Sequence, residues 1–335
     1  MCKLLGSTRD VGPGFCCRNL HPVHQTSGER PTGGRPSPRS SFQSTSSESQ
    51  ELPDSSHIST AIEVVREAGQ IALEFFLRSE LHTEIKADNS LLSEADAATE
   101  EFIIKKLNES FPEFPFIGEE TVADQPTSDY GAALLADHAW VLDPIDGTNN
   151  FVAGSPVWCV SLALMEKGKP KLGVIYFPAL NDEMFYNDNE GLWRHPNVSR
   201  PGHSPVEVAA ARVSSDAKPL FMVHDGFFRR YDVDLPHVPR ISGCTVLNVL
   251  YAVIGKAGAA SQSAHLWDFA APLAFAEGMG TTMVGAFTGR RMHFFQPEDF
   301  YLDPSEPRRL WRVREQTLVA AEDNVETWRA AFRRK

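Results

Sequence analysis

The chain has 335 residues and a formal net charge of −12 at neutral pH, with 42% hydrophobic and 10% aromatic residues. That length supports a sizeable core and allows one large domain or two. The acidic balance argues against nucleic acid as a partner, and no stretch reaches the roughly 18 consecutive apolar residues of a membrane span.

Charge is unevenly spread. Residues 1–47 hold six basic and two acidic side chains, a local +4 that leaves −16 for the remainder. This segment is rich in Ser, Pro and Gly without apolar periodicity, so residues 1–55 are expected to be a disordered leader. Arg- and Ser-rich, acid-poor leaders resemble organelle transit peptides, although no amphipathic helix or secretory h-region is visible. A cleaved transit peptide and a non-targeting tail both stand, and with them a cytoplasmic, plastid or mitochondrial location for a soluble protein. Cys2, Cys16 and Cys17 fall in the leader and Cys159 and Cys244 in the body, with nothing to suggest a disulfide framework or a cysteine metal site.

Ile62, Val65, Ala68, Ile71, Ala72 and Phe75 recur at helical spacing and predict a helix from about Ser59 to Leu77. Glu84 to Ser93 loses that period and reads as an extended crossing. A second helix is predicted from Glu94 to Phe111, with Glu94 and Asp96 at the positive end of its dipole. Phe114 to Ile117 reads as a short buried strand ending at Gly118, Glu119 and Glu120. Adjacent carboxylates there are costly unless a cation offsets them. Val122 to Asp137 reads as a loop or lid.

Next, Ala139-Trp140-Val141-Leu142 reads as a buried strand that stops at Asp143-Pro144-Ile145-Asp146-Gly147-Thr148-Asn149-Asn150-Phe151. Pro144 stiffens the exit, Gly147 allows a tight turn, and Thr148 to Asn150 offer capping side chains for a following helix. Two fixed anions beside a helix N-terminus suit metal ions and a phosphate together. Taken alone, a DxxDG run is more often a plain turn.

Strands are then predicted over Val157–Met165, Lys171–Phe177 and Glu183–Tyr186, a meander. Asn187 to Ser204 reads as a connection between an N-terminal α+β half, residues 56–200, and a C-terminal α/β half, residues 201–335. Val206–Val213 and Leu220–Val223 read as strands, His224 to Pro239 as a loop, Thr245–Gly255 as a helix and Lys256–Ser261 as a strand or turn. His265 to Pro272 leads into an apolar helix with Asp268 as its N-cap candidate. Gln316–Ala321 and Glu326–Phe332 complete the chain as a strand and a helix.

Carboxylates thus stand at four element ends: Asp96, Glu119 with Glu120, Asp143 with Asp146, and Asp268. On IGEET (117–121), WVLDPIDGTNNF (140–151), LWDFAAP (266–272) and the weaker KADNSLLSEAD (86–96), the chain resembles the inositol monophosphatase family of metal-dependent, lithium-sensitive phosphatases. The resemblance covers roughly residues 58–334. It implies a layered α-β-α-β-α sandwich of α/β (α+β) class and a Mg2+-dependent phosphomonoesterase using two or three ions. Glu119, Asp143 and the Ile145 carbonyl would hold one ion, and Asp143, Asp146 and Asp268 a second. Thr148, supported by Asp96, would orient or deprotonate the attacking water, with Glu119 assisting. The Gly147 and Thr148 N–H groups would take phosphate oxygens.

Inositol-specific relatives carry an acidic residue on the strand before the WD motif, where this chain has Ser261. Substrate contacts are therefore assigned to Ser261, Gln262 and His265, and inositol monophosphate, histidinol phosphate and 3′(2′),5′-bisphosphate nucleotides stay open as substrates. A catalytically silent metal- or phosphate-binding relative is the alternative of a different class. The expected partner is a small phosphorylated metabolite, and the family expectation is a homodimer.

Overall fold

The computed structural model describes residues 53–78, 83–85, 91–120, 130–210, 218–306 and 309–335. The leader up to residue 52, residues 86–90 of the weakest motif, residue 121 of IGEET, residues 122–129 of the expected lid and residues 211–213 of an expected strand lie outside them.

In chain order the elements are α1 (Ser55–Phe76), β1 (Thr83–Ile85), β2 (Leu91–Ser93), α2 (Glu94–Ser110), β3 (Phe116–Gly118), α3 (Tyr130–Leu134), β4 (Ala139–Asp146), α4 (Thr148–Val152), β5 (Cys159–Glu166), β6 (Lys169–Phe177), β7 (Glu183–Asn187), β8 (Leu192–Pro196) and β9 (Val206–Glu207). They continue as β10 (Leu220–Val223), α5 (Phe227–Arg230), β11 (Tyr231–Val233), β12 (Val238–Arg240), α6 (Thr245–Val253), β13 (Ala259–Ser261), α7 (Leu266–Ala274), β14 (Thr281–Gly285), β15 (Thr317–Ala321), α8 (Val325–Ala331) and β16 (Phe332–Arg334).

Two sheets dominate, a seven-stranded one running β3-β4-β5-β6-β7-β8-β9 and a five-stranded one running β12-β10-β13-β15-β14. Strand alternation decides what each face meets. Trp140, Leu142, Leu162 and Val174 point from the larger sheet to Val65, Ala68, Ile103 and Leu107 of α1 and α2. Val141, Ala163 and Ile175 point the opposite way, to Val249, Leu250, Phe269 and Ala270 of α6 and α7. The same helices pack on Met222, Ala260 and Val319 of the smaller sheet. Its outer face places Phe221, Ala259 and Leu318 against Phe227, Val325 and Trp328 of α5 and α8. The five layers are therefore helix, sheet, helix, sheet, helix, as expected.

The buried stripe of α1 is Ala61, Val64, Val65, Ala68 and Ala72. It is smaller and slightly rotated from the expected one. Small residues let the helix lie close to the sheet, Gly69 among them, where a Cβ would run into the Tyr176 ring; on the opposite face Gly173 does the same for α7, where a Cβ would run into the Ala271 carbonyl.

Several expectations are corrected. The β4 strand does not stop at Leu142. It runs on to Asp146, with its register shifting between the Asp143–Ser161 and Asp146–Cys159 pairs. Pro144 has no N–H for the ladder, so the pairing slips there and resumes. The 187–204 connection contains β8, paired antiparallel with β7. The supposed loop from His224 contains α5 and β11, and β11 pairs with the terminal β16. Strand β14, which the sequence reading leaves unassigned, is held by β15. Among the described residues, no helix is long and apolar enough to cross a membrane.

Candidate active site

The central strand ends at Gly147, whose φ of +97° puts it in the left-handed region and makes it the N-cap of α4. A Cβ there would lie 3.0 Å from the Val157 carbonyl and 3.3 Å from that of Gly243. Glycine is therefore required for both conformation and room. Thr148 to Asn150 lie inside α4 rather than capping it, which corrects the expectation. Asn150 instead ties the turn down, donating from Nδ2 to the carbonyls of Val157 (2.7 Å) and Ser242 (2.9 Å).

Around this turn the four dispersed segments meet. Asp143, Asp146 and Asp268 are buried, and their carboxylate oxygens lie within 4.8 Å of one another. Asp143 Oδ1 accepts the Ile145 N–H at 3.1 Å. Thr148 Oγ1 lies within donating distance of the Ile145 carbonyl (3.1 Å) and Asp96 Oδ1 (3.4 Å). Asp96 is fully buried in the first turn of α2, so it does more than complement that helix dipole. Glu119 follows β3, its N–H donating to the Leu142 carbonyl at 3.3 Å, which sets it beside Asp143. Asp268 is the third residue of α7 rather than its N-cap. That cap is His265, whose N–H donates to Asp268 Oδ2 at 2.7 Å.

The electrostatics follow from this crowding. Burial first, then the Glu119, Asp146, Asp268 and Asp96 carboxylates, hold the Asp143 carboxyl well above its usual range. Burial and Asp268 push Asp146 up to about 7, while hydrogen bonds from Cys244, Thr245 and Val246 pull it back. Two unit charges at 4.8 Å repel by about 3.5 kcal/mol at an effective dielectric of 20. Among the described residues, the one ion pair reaching Asp143, Asp146 or Asp268 is His265 Nδ1 with Asp268 Oδ2, at 3.7 Å. Convergent, buried, hard oxygen donors are a donor set suited to Mg2+.

One feature of the site escapes sequence reasoning. Asp146 is held by Cys244 and the start of α6. Oδ1 accepts the Thr245 N–H at 3.0 Å, and Oδ2 accepts the Val246 N–H at 2.8 Å and the Cys244 thiol at 2.7 Å. The anion thus sits on free helix N–H groups and the positive end of the dipole. Ser242-Gly243 before an apolar run signals a helix start, but nothing in sequence links it to Asp146. Nor does the sequence connect Cys159 with Cys244: both are buried with Sγ atoms 4.0 Å apart, and burial pushes the Cys159 thiol up to about 12.

The expected substrate residues are differently placed. Ser261 is fully buried, its hydroxyl donating to the Thr317 carbonyl at 2.6 Å and accepting from Gln316 Nε2 at 2.9 Å. Gln262 is also buried, with Nε2 3.5 Å from the Met222 carbonyl. His265 is partly exposed and stacks on Trp267, with ring centroids 4.9 Å apart.

The family model for the inositol monophosphatase family matches residues 54–325. The chain belongs to the inositol monophosphatase family. It is 42% identical over 162 residues to inositol monophosphatase 3 of Solanum lycopersicum, an alignment covering 48% of this chain and 58% of that protein. It is 35% identical over 161 residues to a histidinol-phosphatase of Chlorobaculum parvum, covering 48% and 56%. The chain thus spans little more than half the length of these curated relatives. Among solved structures, an IMPase/NADP phosphatase complexed with Mg2+ and phosphate shares the fold, with a TM-score of 0.62 at 19% identity over 82% of this chain and 95% of that one. The family's fold is the five-layer sandwich described above.

Proposed function

We propose that this chain is a Mg2+-dependent phosphomonoesterase acting on a small phosphate ester. The observation that carries the reading is the convergence of the buried carboxylates of Asp143, Asp146 and Asp268 within 4.8 Å of one another. Membership of the family and the likeness to a phosphatase complexed with Mg2+ and phosphate support it.

Asp143, Asp146 and Asp268 would hold one ion, and Glu119, Asp143 and the Ile145 carbonyl another, with Asp143 shared. When bound, Mg2+ would offset the clustered charge, lower the pKa of a water and stabilise the leaving oxygen. The chain's own groups do the rest. Thr148 Oγ1 carries a single proton and faces two acceptors, the Ile145 carbonyl and Asp96. With that proton committed, its lone pairs are left to accept from a water and orient it for in-line attack. Buried Asp96 keeps the hydroxyl turned. The N–H groups of Gly147 and Thr148 at the tight turn would take phosphate oxygens as charge develops. Asp146 is prevented from swinging by three donors from Cys244, Thr245 and Val246.

For the ester, two readings stand. An inositol monophosphate-like substrate is supported by the greater identity to the tomato protein. Histidinol phosphate is supported by the similarity to a histidinol-phosphatase and by Ser261, a buried hydroxyl where a polyol-binding carboxylate is expected. Assay of phosphate release in Mg2+ from inositol monophosphates, histidinol phosphate and an adenosine bisphosphate decides between them. Release from at least one, with inhibition by millimolar Li+, is expected. No release from any would refute the enzyme reading in favour of a silent relative. A homodimer is part of the proposal, checked by the mass in solution.

A further inference from the structure

Cys159 is the first residue of β5 and faces Asp146 directly in the β4–β5 ladder. Cys244 immediately precedes α6. Neither thiol belongs to the water-orienting or phosphate-binding groups of the proposed phosphatase, although Cys244 helps to hold Asp146 in place. Together with the Asp146 carboxylate they form a triangle: Sγ to Sγ 4.0 Å, Cys159 Sγ to Oδ2 4.0 Å, and Cys244 Sγ to Oδ2 2.7 Å. A tetrahedral cation with metal–sulfur bonds of about 2.3 Å needs its sulfurs about 3.8 Å apart. The two sulfurs are within a few tenths of an ångström of that spacing, whereas Cys244 Sγ and Oδ2, now hydrogen-bonded at 2.7 Å, would open to about 3.6 Å once the thiol proton is replaced by the cation. A disulfide would have to close to about 2.05 Å.

Thiolate donors select soft or borderline cations, and two sulfurs are a poor match for Mg2+. From this triangle we infer that Cys159, Cys244 and Asp146 form a second metal site, for a soft divalent cation of the Zn2+ or Cd2+ type, sharing Asp146 with the carboxylate cluster. Binding exchanges two S–H bonds for two metal–thiolate bonds, releases two protons to solvent and requires no oxidant. Asp143, Asp146 and Asp268 contribute one convergent set of donor atoms, and Asp146 belongs to both sets. A cation seated on the sulfurs draws that carboxylate away from the hard-ion cluster. Soft cations therefore inhibit Mg2+-dependent turnover. The inhibition rests on the proposed phosphatase reading; the binding does not.

The test uses the full-length chain with Cys2, Cys16 and Cys17 changed to Ser, so that the two body thiols alone remain. Cd2+ is titrated in the presence of excess Mg2+, following the ultraviolet sulfur-to-cadmium charge-transfer band. One Cd2+ per chain is expected, with cadmium NMR reporting two sulfur ligands. Cys159→Ala and Cys244→Ala, each added to that background, should weaken Cd2+ binding roughly 100-fold and remove most of the band. Circular dichroism checks folding; should one variant not fold, the other and the NMR ligand count still decide. No band, or binding that neither substitution weakens, overturns the site. Phosphate release should fall as the site fills and recover on adding a dithiol chelator, and turnover untouched at saturation overturns the sharing of Asp146. Protein that binds Cd2+ through two sulfurs but hydrolyses no ester keeps this site and loses the phosphatase reading. Protein that hydrolyses without the band does the reverse.

Discussion

Replacing Asp143 by Asn should leave the metal-free protein more stable and the enzyme dead. Asn keeps the oxygen that accepts the Ile145 N–H at 3.1 Å, and its amide gains acceptors from the neighbouring carboxylates. What it loses is a buried anion that Glu119, Asp146, Asp268 and Asp96 all repel. The relief has a ceiling, because a crowded carboxyl can instead take up a proton. From an ordinary value of 3.8, protonation at about pH 7 costs about 4.4 kcal/mol, at about 1.4 kcal/mol per unit. Discounting for relaxation and water entry, metal-free stability should rise by about 1–3 kcal/mol, or roughly 2 °C in Tm per kcal/mol for a body of this size. The assay is thermal unfolding of both proteins in chelator and in millimolar Mg2+, beside phosphate release. Wild type should gain stability from Mg2+, whereas Asp143→Asn should gain little and turn over nothing. A variant less stable than wild type in chelator, yet still stabilised by Mg2+ and active, would sink both the repulsion and the shared-ligand role.

Two further outcomes follow from the same geometry. The folded-state carboxyls of Asp143 and Asp146 are raised, so the folded chain binds their protons more tightly than the unfolded one. Their contribution is full below the ordinary value of 3.8 and is lost as pH rises through about 7. Unfolding in chelator should thus show stability falling between about pH 5 and 8 more steeply for wild type than for Asp143→Asn; parallel profiles would refute the coupling. At Thr148, Ser keeps the hydroxyl and should retain most activity. Thr148→Ala should lower kcat by roughly 100-fold or more with little change in KM, and equal kinetics for the two variants would remove Thr148 from water positioning.

Much of this molecule is legible in one dimension because local periodicity and local covalent chemistry act over a few residues. The apolar spacing in α1, the alternation in β4 and the carboxylates closing four segments are visible without coordinates. Where local signals misled, a distant partner had decided. Strand β8 is hidden in a turn-rich stretch and exists because β7 offers it a ladder. The continuation of β4 through Pro144 depends on β5 resuming the pairing at Asp146 and Cys159. Asp268 reads as an N-cap, but it is the third residue of α7, where its carboxylate closes a capping box on the His265 N–H and also joins the cluster.

By itself, then, the sequence supplied the contiguous motifs that carry the family resemblance, and through that resemblance the layered α/β class and the acids expected to converge. Tertiary structure alone decided which groups surround those acids. The N–H groups and thiol that fix Asp146 come from about 100 residues away. Cys159 and Cys244, separated by 85 residues, meet at 4.0 Å. Such encounters are set by how sheets and helices pack, and no local propensity encodes them.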